Sequence, residues 1–87
     1  MKPKTIIRNS EPMTLKEMQD AVGGSIELAY DDGEMQIVCN EEGKMLDLPE
    51  NEQATDIWLD KLDEQGRGTL DYLAGDVLIL RDKARMD

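Results

Sequence analysis

The apolar positions in the N-terminal third of the chain change from a strand-like to a helix-like spacing. Residues 4–8 form a short run that predicts a strand at the edge of a sheet. Apolar side chains then recur at helical intervals and predict a first helix, whose stripe is Leu15, Met18 and Val22. Thr14 and Glu17 have the spacing of a capping box at its start, and Gly23-Gly24 supplies the left-handed residue that commonly ends a helix.

Two strand-like runs flank a polar turn in the next segment. Residues 25–30 and 35–40 surround Asp31-Asp32-Gly33-Glu34, and Asp-Gly between two such runs is a strong signal for a β-hairpin. Alternation predicts one apolar face on each strand, formed by Ile26, Leu28 and Tyr30 and by Met35, Ile37 and Cys39. A second polar turn follows, and residues 45–48 are predicted to form a short third strand.

The second half of the chain predicts another helix and a buried strand. Asn51 can cap a helix that runs to about Asp63, with an apolar stripe of Ala54, Ile57, Trp58 and Leu62. Residues 77–80 are continuously apolar, as in a central strand, and the polar residues 81–87 are predicted to fray. The order β-α-β-β-(β)-α-β predicts a single α+β domain over residues 1–87, in which two helices cover one face of a mainly antiparallel sheet in two layers.

Length and cysteine content narrow the class of protein. The chain has 87 residues, with one Trp, two Tyr and no Phe, so its core is expected to be thin, and a homodimer remains open as a way to stabilise it. The lone Cys39 is interpreted as a small buried apolar residue. A chain without disulfides, apolar membrane span or signal-peptide pattern is expected in the cytoplasm.

Acidic residues dominate the middle of the chain. The formal net charge is −10, and residues 9–80 carry 18 acidic against four basic residues. Such a surface repels nucleic acids and anionic membranes, so neither is expected as a direct partner. Basic residues concentrate in residues 1–8 and 81–87 instead.

The residue types needed for most catalysis are missing. With no His and one Cys, the chain offers neither a Ser–His or Cys–His nucleophile system nor an ordinary zinc site. The two acidic glycine-containing turns lack the ligand spacing of a calcium loop and are explained by turn chemistry. We therefore expect no catalytic residue, metal or cofactor, and interpret the chain as a non-enzymatic protein.

The second predicted helix carries carboxylates along one face: Glu52, Asp56, Asp60, Asp63 and Glu64. Like charges four residues apart destabilise a helix by roughly 0.2–0.5 kcal/mol per pair. Two interpretations remain open. The face either keeps the protein soluble, or it docks on a partner protein with a basic surface, since carboxylates spaced about 6 Å apart along a helix resemble a row of phosphates.

Four ordered segments together resemble a known family. They are Val22–Glu27, Val38–Lys44, Leu48–Asn51 with Ala54-Thr55, and Gly75–Leu78. Across about residues 15–80 the chain resembles domain of unknown function 3846, a family of small proteins found mainly in bacteriophages, plasmids and their hosts. The N-terminal strand is less typical of that family. The resemblance implies a mobile-element origin and no defined activity.

Polar positions shared with that family suggest a second candidate site. Asn40, Glu41 and Asn51 match such positions, and either turn and cap chemistry or a ligand pocket with Gly75 and Asp76 beside it explains them. Three functional hypotheses follow. The first is a phage- or plasmid-type accessory protein that binds a host or phage protein through its acidic surface, with action against a host defence as one form. The others are a protein that binds or sequesters a nucleotide-like small ligand, and a structural or assembly domain.

Overall fold

A four-stranded sheet with two helices accounts for most of the chain. The computed structural model describes residues 2–86. The elements, in chain order, are β1 Thr5–Arg8, α1 Leu15–Val22, β2 Ile26–Asp31, β3 Met35–Asn40, α2 Glu52–Glu64, β4 Val77–Arg81 and a short 3₁₀ helix Asp82–Ala84. The strand order is β1-β4-β3-β2. Strand β1 is parallel to β4 and the other pairs are antiparallel. This confirms the predicted α+β class, the β2–β3 hairpin, the edge position of β1 and the central position of β4.

Local sequence signals place both helices. The Thr14 side chain accepts from the backbone of Glu17, whose side chain accepts from the backbone of Thr14, so the predicted capping box is present. Gly23 adopts the left-handed conformation at the end of α1, with φ of 81°. Asn51 caps α2, because its side chain accepts from the Ala54 backbone N–H. Helix α2 then extends to Glu64, within one residue of the predicted end.

The two helices lie on opposite faces of the sheet, so the predicted two-layer arrangement is wrong. Val77 and Ile79 of β4 belong to an apolar cluster with the α2 residues Ala54 and Leu62. The alternate β4 residues belong to a second cluster with α1, formed by Met18, Val22, Val38, Leu78, Leu80 and Ala84. Strands β3 and β4 are buried on both faces, and each face is covered by one of the two helices.

Strand β2 contains an irregularity that changes which side chains share a face. Leu28 pairs with Val38, whereas Tyr30 pairs with Ile37, so Ala29 is an extra residue in the ladder. Tyr30 consequently joins the cluster on the α2 side, and Leu28 is left 46% exposed. The prediction that alternate residues of this strand share one apolar face is therefore wrong.

Residues 45–48 form no strand, contrary to the prediction. Residues 41–47 are a series of turns, closed by a hydrogen bond from the Leu48 backbone N–H to the Gly43 carbonyl (3.0 Å). Local hydrogen bonds satisfy the backbone here, so it needs no neighbouring strand. Gly43 packs closely on the segment before β4, because a Cβ at this position would lie 3.2 Å from the Ala74 carbonyl oxygen.

The end of the chain packs against the sheet, where we expected it to fray from residue 81. Ala84 is 1% exposed, and Met86 packs on the cluster that contains α1. The buried Gln36 side chain donates to the Met86 carbonyl (3.0 Å) and accepts from the Met86 N–H (2.6 Å). Asp87 lies outside the described residues. Neither α1 nor α2 is long and apolar enough to cross a membrane.

Candidate functional site

The carboxylates predicted on the second helix all lie exposed on α2. Glu52, Asp56, Asp60, Asp63 and Glu64 form the acidic α2 face. Among residues 2–86, the structure shows one ion pair on α2, in which the Lys61 ammonium lies 3.8 Å from the Glu64 carboxylate. The buried stripe of α2 faces the sheet, so the carboxylates project away from the core. The structure therefore presents this face to solvent, whichever of its two interpretations applies.

Asn51 lies at the junction of three elements. It is 2% exposed, and its side-chain amide donates to the carbonyls of Lys4 (3.0 Å) and Gly75 (3.1 Å). Its side-chain oxygen accepts from the Ala54 N–H (2.9 Å) and from the Thr5 hydroxyl (3.0 Å). Every polar atom of this side chain is thus bonded within the chain, which joins β1, α2 and the approach to β4.

The residues predicted to form one ligand pocket are divided between two places. Gly75 and Asp76 lie beside Asn51, where the Asp76 carboxylate accepts from the Lys4 backbone N–H (2.8 Å). Asn40 and Glu41 instead line a cleft at the other edge of the sheet. Asn40 is also bonded internally, since it donates to the Val22 carbonyl (3.2 Å) and accepts from the Glu42 N–H (2.8 Å).

That cleft, called the β2 cleft below, has a volume of about 330 Å³. Residues 27–29 of β2, the end of β3 and the turn at residues 41–45 form one side of it. Trp58 of α2 and residues 71–74 form the other. Small-molecule sites commonly span about 300–1,000 Å³, so the cleft could admit a small molecule or a few residues of a peptide.

Lys44 and Tyr72, which both line the β2 cleft, contact each other. Lys44 forms an ion pair with Asp71, and its ammonium lies 4.7 Å from the centre of the Tyr72 ring. The hydrogen bond from Lys44 is the main reason that the pKa of Asp71 is lowered, with a second contribution from the Tyr72 N–H. Lys44 is therefore held in place by a carboxylate and an aromatic face.

Two further side chains of the β2 cleft have unusual surroundings. Cys39 is 7% exposed, and burial together with the nearby Glu27 raises the pKa of its thiol to about 11. The thiol stays protonated near neutral pH, which makes it a poor nucleophile. The Trp58 indole nitrogen is buried without a hydrogen-bond partner among the described residues. Unpaired buried donors are uncommon, so Trp58 marks the cleft as a place where a polar contact is missing.

Residues 2–86 contain no group of three or more His, Cys, Asp or Glu side chains that could hold a metal ion. The acidic side chains that line the β2 cleft, Glu27, Glu41 and Asp71, occur there together with apolar and aromatic ones. This combination suits contacts with a cation that also carries apolar groups.

Sequence reasoning missed most of the β2 cleft. It identified Asn40 and Glu41 as candidate site residues, but not Asp71 and Tyr72. The cleft forms only when the turn at 41–45 packs against residues 71–74, and no local periodicity reports that contact. The apolar residues that stand beside charged ones in these two segments were the available sequence signal.

The comparisons with known proteins agree with the resemblance inferred from the sequence. The model of one family, described as a domain of unknown function (DUF3846), matches residues 1–87, the whole chain. No curated protein and no solved structure matches the chain.

Proposed function

The chain belongs to the DUF3846 family, and we propose that it acts without catalysis, by binding a partner protein that presents a basic surface. The observation that carries this proposal is the acidic α2 face. Its carboxylates are exposed, and Lys61 is the one basic residue of the helix. The formal net charge of −10 adds a long-range field that attracts basic partners and speeds their association.

The acidic α2 face is unfavourable for the helix that carries it. Glu52, Asp56 and Asp60 follow one another at intervals of four residues, where like charges repel. Asp63 and Glu64 lie in the last turn, where negative charge opposes the helix dipole. Glu52 in the first turn favours the helix and Glu64 pairs with Lys61, but the other carboxylates give the helix no such benefit, which supports a role in binding.

The spacing of these carboxylates favours a partner that binds nucleic acid. Residues four apart on a helix are separated by about 6 Å along its axis, so the carboxylates form a regular row of negative charges that resembles a row of phosphates. The proposal is therefore an accessory protein of phage or plasmid type that acts in the host cytoplasm. Its partner is a protein whose basic surface ordinarily contacts nucleic acid, and a host defence enzyme belongs to that class.

Charge reversal on the helix tests the proposal. The variant Asp56→Lys/Asp60→Lys should fold as the parent does, because both side chains are exposed and the new charges form attractive pairs with their acidic neighbours. In a pull-down from host lysate, a partner that elutes with salt should be captured by the parent and lost by this variant.

The matched control reverses the same number of charges on the α1 side of the sheet. Glu11→Lys/Asp20→Lys alters exposed residues far from α2 and should retain the partner. Equal loss with both variants would mean that net charge alone drives capture. Retention by the folded Asp56→Lys/Asp60→Lys protein would leave the acidic α2 face as solubilising surface.

A further inference from the structure

The β2 cleft lies along a free edge of the sheet. Among the described strands, β2 hydrogen-bonds to β3 alone, so its outer edge carries backbone groups without a strand partner. Glu27, Leu28 and Ala29 all line the cleft. The lining also includes Trp58 of α2 and Cys39 of β3, which pairs with Glu27, so the cleft lies on the α2 side of the hairpin and against the strand that forms the sheet edge.

Exposed apolar side chains surround this edge. Leu28 is 46% exposed, Met45 83% and Tyr72 38%, and all three line the β2 cleft. They come from β2, from the turn after β3 and from the segment before β4. A contiguous apolar patch beside a polar rim is typical of a protein-binding site.

Charge decides which occupant suits the β2 cleft. Its lining carries the acids Glu27, Glu41 and Asp71 against the single base Lys44. Lys44 is already paired with Asp71, so Glu27 and Glu41 have no ion pair within residues 2–86. A second copy of the chain is a poor occupant because each copy carries a formal charge of −10. A basic occupant is complementary.

We propose that the β2 cleft binds an extended, basic segment of the partner protein, which adds to the sheet as a short strand beside Ile26–Leu28. Main-chain hydrogen bonds to the free edge would hold the segment. An apolar side chain would pack on Met45 and Tyr72, and a Lys or Arg would meet Glu27 and Glu41. The extra residue at Ala29 interrupts the ladder, so pairing ends there. The inference rests on the proposed function, because it names the part of the partner that enters the cleft.

The single tryptophan gives a direct readout of this site. Trp58 is the one Trp of the chain and lines the β2 cleft, so occupancy should change its fluorescence. The probe is a blocked octapeptide of alternating Lys and Val. We expect a saturable change with this peptide, no change with alternating Glu and Val, and binding weaker by about tenfold or more with octalysine, which lacks the apolar side chains.

Two changes separate strand addition from simple charge attraction. Methylating the backbone nitrogens along one edge of the Lys-Val peptide should weaken binding by about tenfold, because those groups can no longer pair with β2. Glu27→Lys should weaken binding by a similar factor, whereas the exposed Glu11→Lys should leave it within about twofold. Both variants make the same charge change at exposed positions.

Several outcomes would overturn the inference. They are equal binding of octalysine and the Lys-Val peptide, full binding of the methylated peptide, and a Trp58 response to nucleotides but not to the peptide. The two proposals fail separately. If Asp56→Lys/Asp60→Lys loses the partner but the parent does not bind the peptide, the proposal for the β2 cleft fails and the proposal for the acidic α2 face stands. If the parent binds the peptide and Asp56→Lys/Asp60→Lys still captures the partner, the proposal for the acidic α2 face fails and the proposal for the β2 cleft stands.

Discussion

At the scale of single residues, Asn51 connects more of the fold than its position as a helix cap suggests. Its side chain bonds to Lys4, Gly75, Thr5 and Ala54, three of which lie outside α2. Asn51→Ala removes a cap worth about 1 kcal/mol. It also leaves the Gly75 carbonyl without a hydrogen-bond partner, at about 1–3 kcal/mol, whereas the Lys4 carbonyl still accepts from the Val77 N–H (2.9 Å). We expect the free energy of unfolding, measured by urea titration, to fall by about 2–4 kcal/mol.

Two matched substitutions separate the cap from the junction. Thr14→Ala removes the cap of α1, whose side chain bonds only within that helix, and should destabilise by about 1 kcal/mol. Asn51→Asp keeps the cap acceptor but loses both donors and faces two carbonyls with a negative charge. Parent-like stability of Asn51→Asp would show that the bonds to Lys4 and Gly75 contribute little.

At the scale of elements, the C-terminal segment is predicted to stabilise the sheet. Deleting residues 82–87 removes the buried Ala84 and leaves the side chain of Gln36, which is 4% exposed, without its bonds to Met86. We expect the free energy of unfolding in urea to fall by about 2–4 kcal/mol, because apolar burial is lost and the Gln36 amide keeps only its longer hydrogen bond to Asp31 (3.3 Å).

A second substitution tests the reason for that loss. In the shortened chain, Gln36→Leu should recover about 1 kcal/mol or more, since an apolar side chain of similar size needs no partner. In the full chain the same substitution should destabilise, because it unpairs the Met86 backbone. If Gln36→Leu has the same effect in both chains, the contact between Gln36 and Met86 does not stabilise the fold.

The elements themselves were largely predictable, because their signals are local. Both helices and all four strands were predicted with bounds close to the observed ones. The signals were the capping residues, the Asp-Gly turn and short apolar runs such as that of β4. The layering was not predictable in the same way. The layering depends on β3 being buried on both faces. The sequence of β3, which is Met, Gln, Ile, Val, Cys and Asn, resembles the alternating pattern of a strand with one exposed face, yet Gln36 and Asn40 are buried too.

Long-range packing also explains the remaining differences. The extra residue at Ala29 has no local signal, and it moved Tyr30 to the α2 side of the sheet. The acidic α2 face needed only helical periodicity and was predicted in full. The β2 cleft needed the contact between the turn at 41–45 and residues 71–74, so only Asn40 and Glu41 were identified as site residues there.

At the scale of the whole molecule, the charge imbalance should make stability depend on salt. The formal charge is −10, and the ion pairs among residues 2–86 join exposed side chains, namely Lys16 to Asp20, Lys44 to Asp71 and Lys61 to Glu64. Exposed pairs contribute little, so they do not offset the self-repulsion of the folded state. We expect the melting temperature to rise with NaCl, by roughly 4–8 °C for each kcal/mol of repulsion that is screened.

Variants with altered charge identify the source of that rise. At about 0.1 M salt the screening length is about 10 Å, so repulsion between carboxylates four residues apart on α2 is only partly screened and that between distant ones is largely removed. Asp56→Lys/Asp60→Lys should therefore melt higher than the parent at low salt and gain less from added NaCl. Glu11→Lys/Asp20→Lys makes the same change in net charge without relieving the repulsion on α2, and it also replaces the exposed Lys16–Asp20 ion pair with two like charges. It should therefore show a smaller rise at low salt. Identical melting curves for the two variants would assign the effect to net charge, whereas a parent melting temperature independent of NaCl would show that self-repulsion does not limit the stability of this fold.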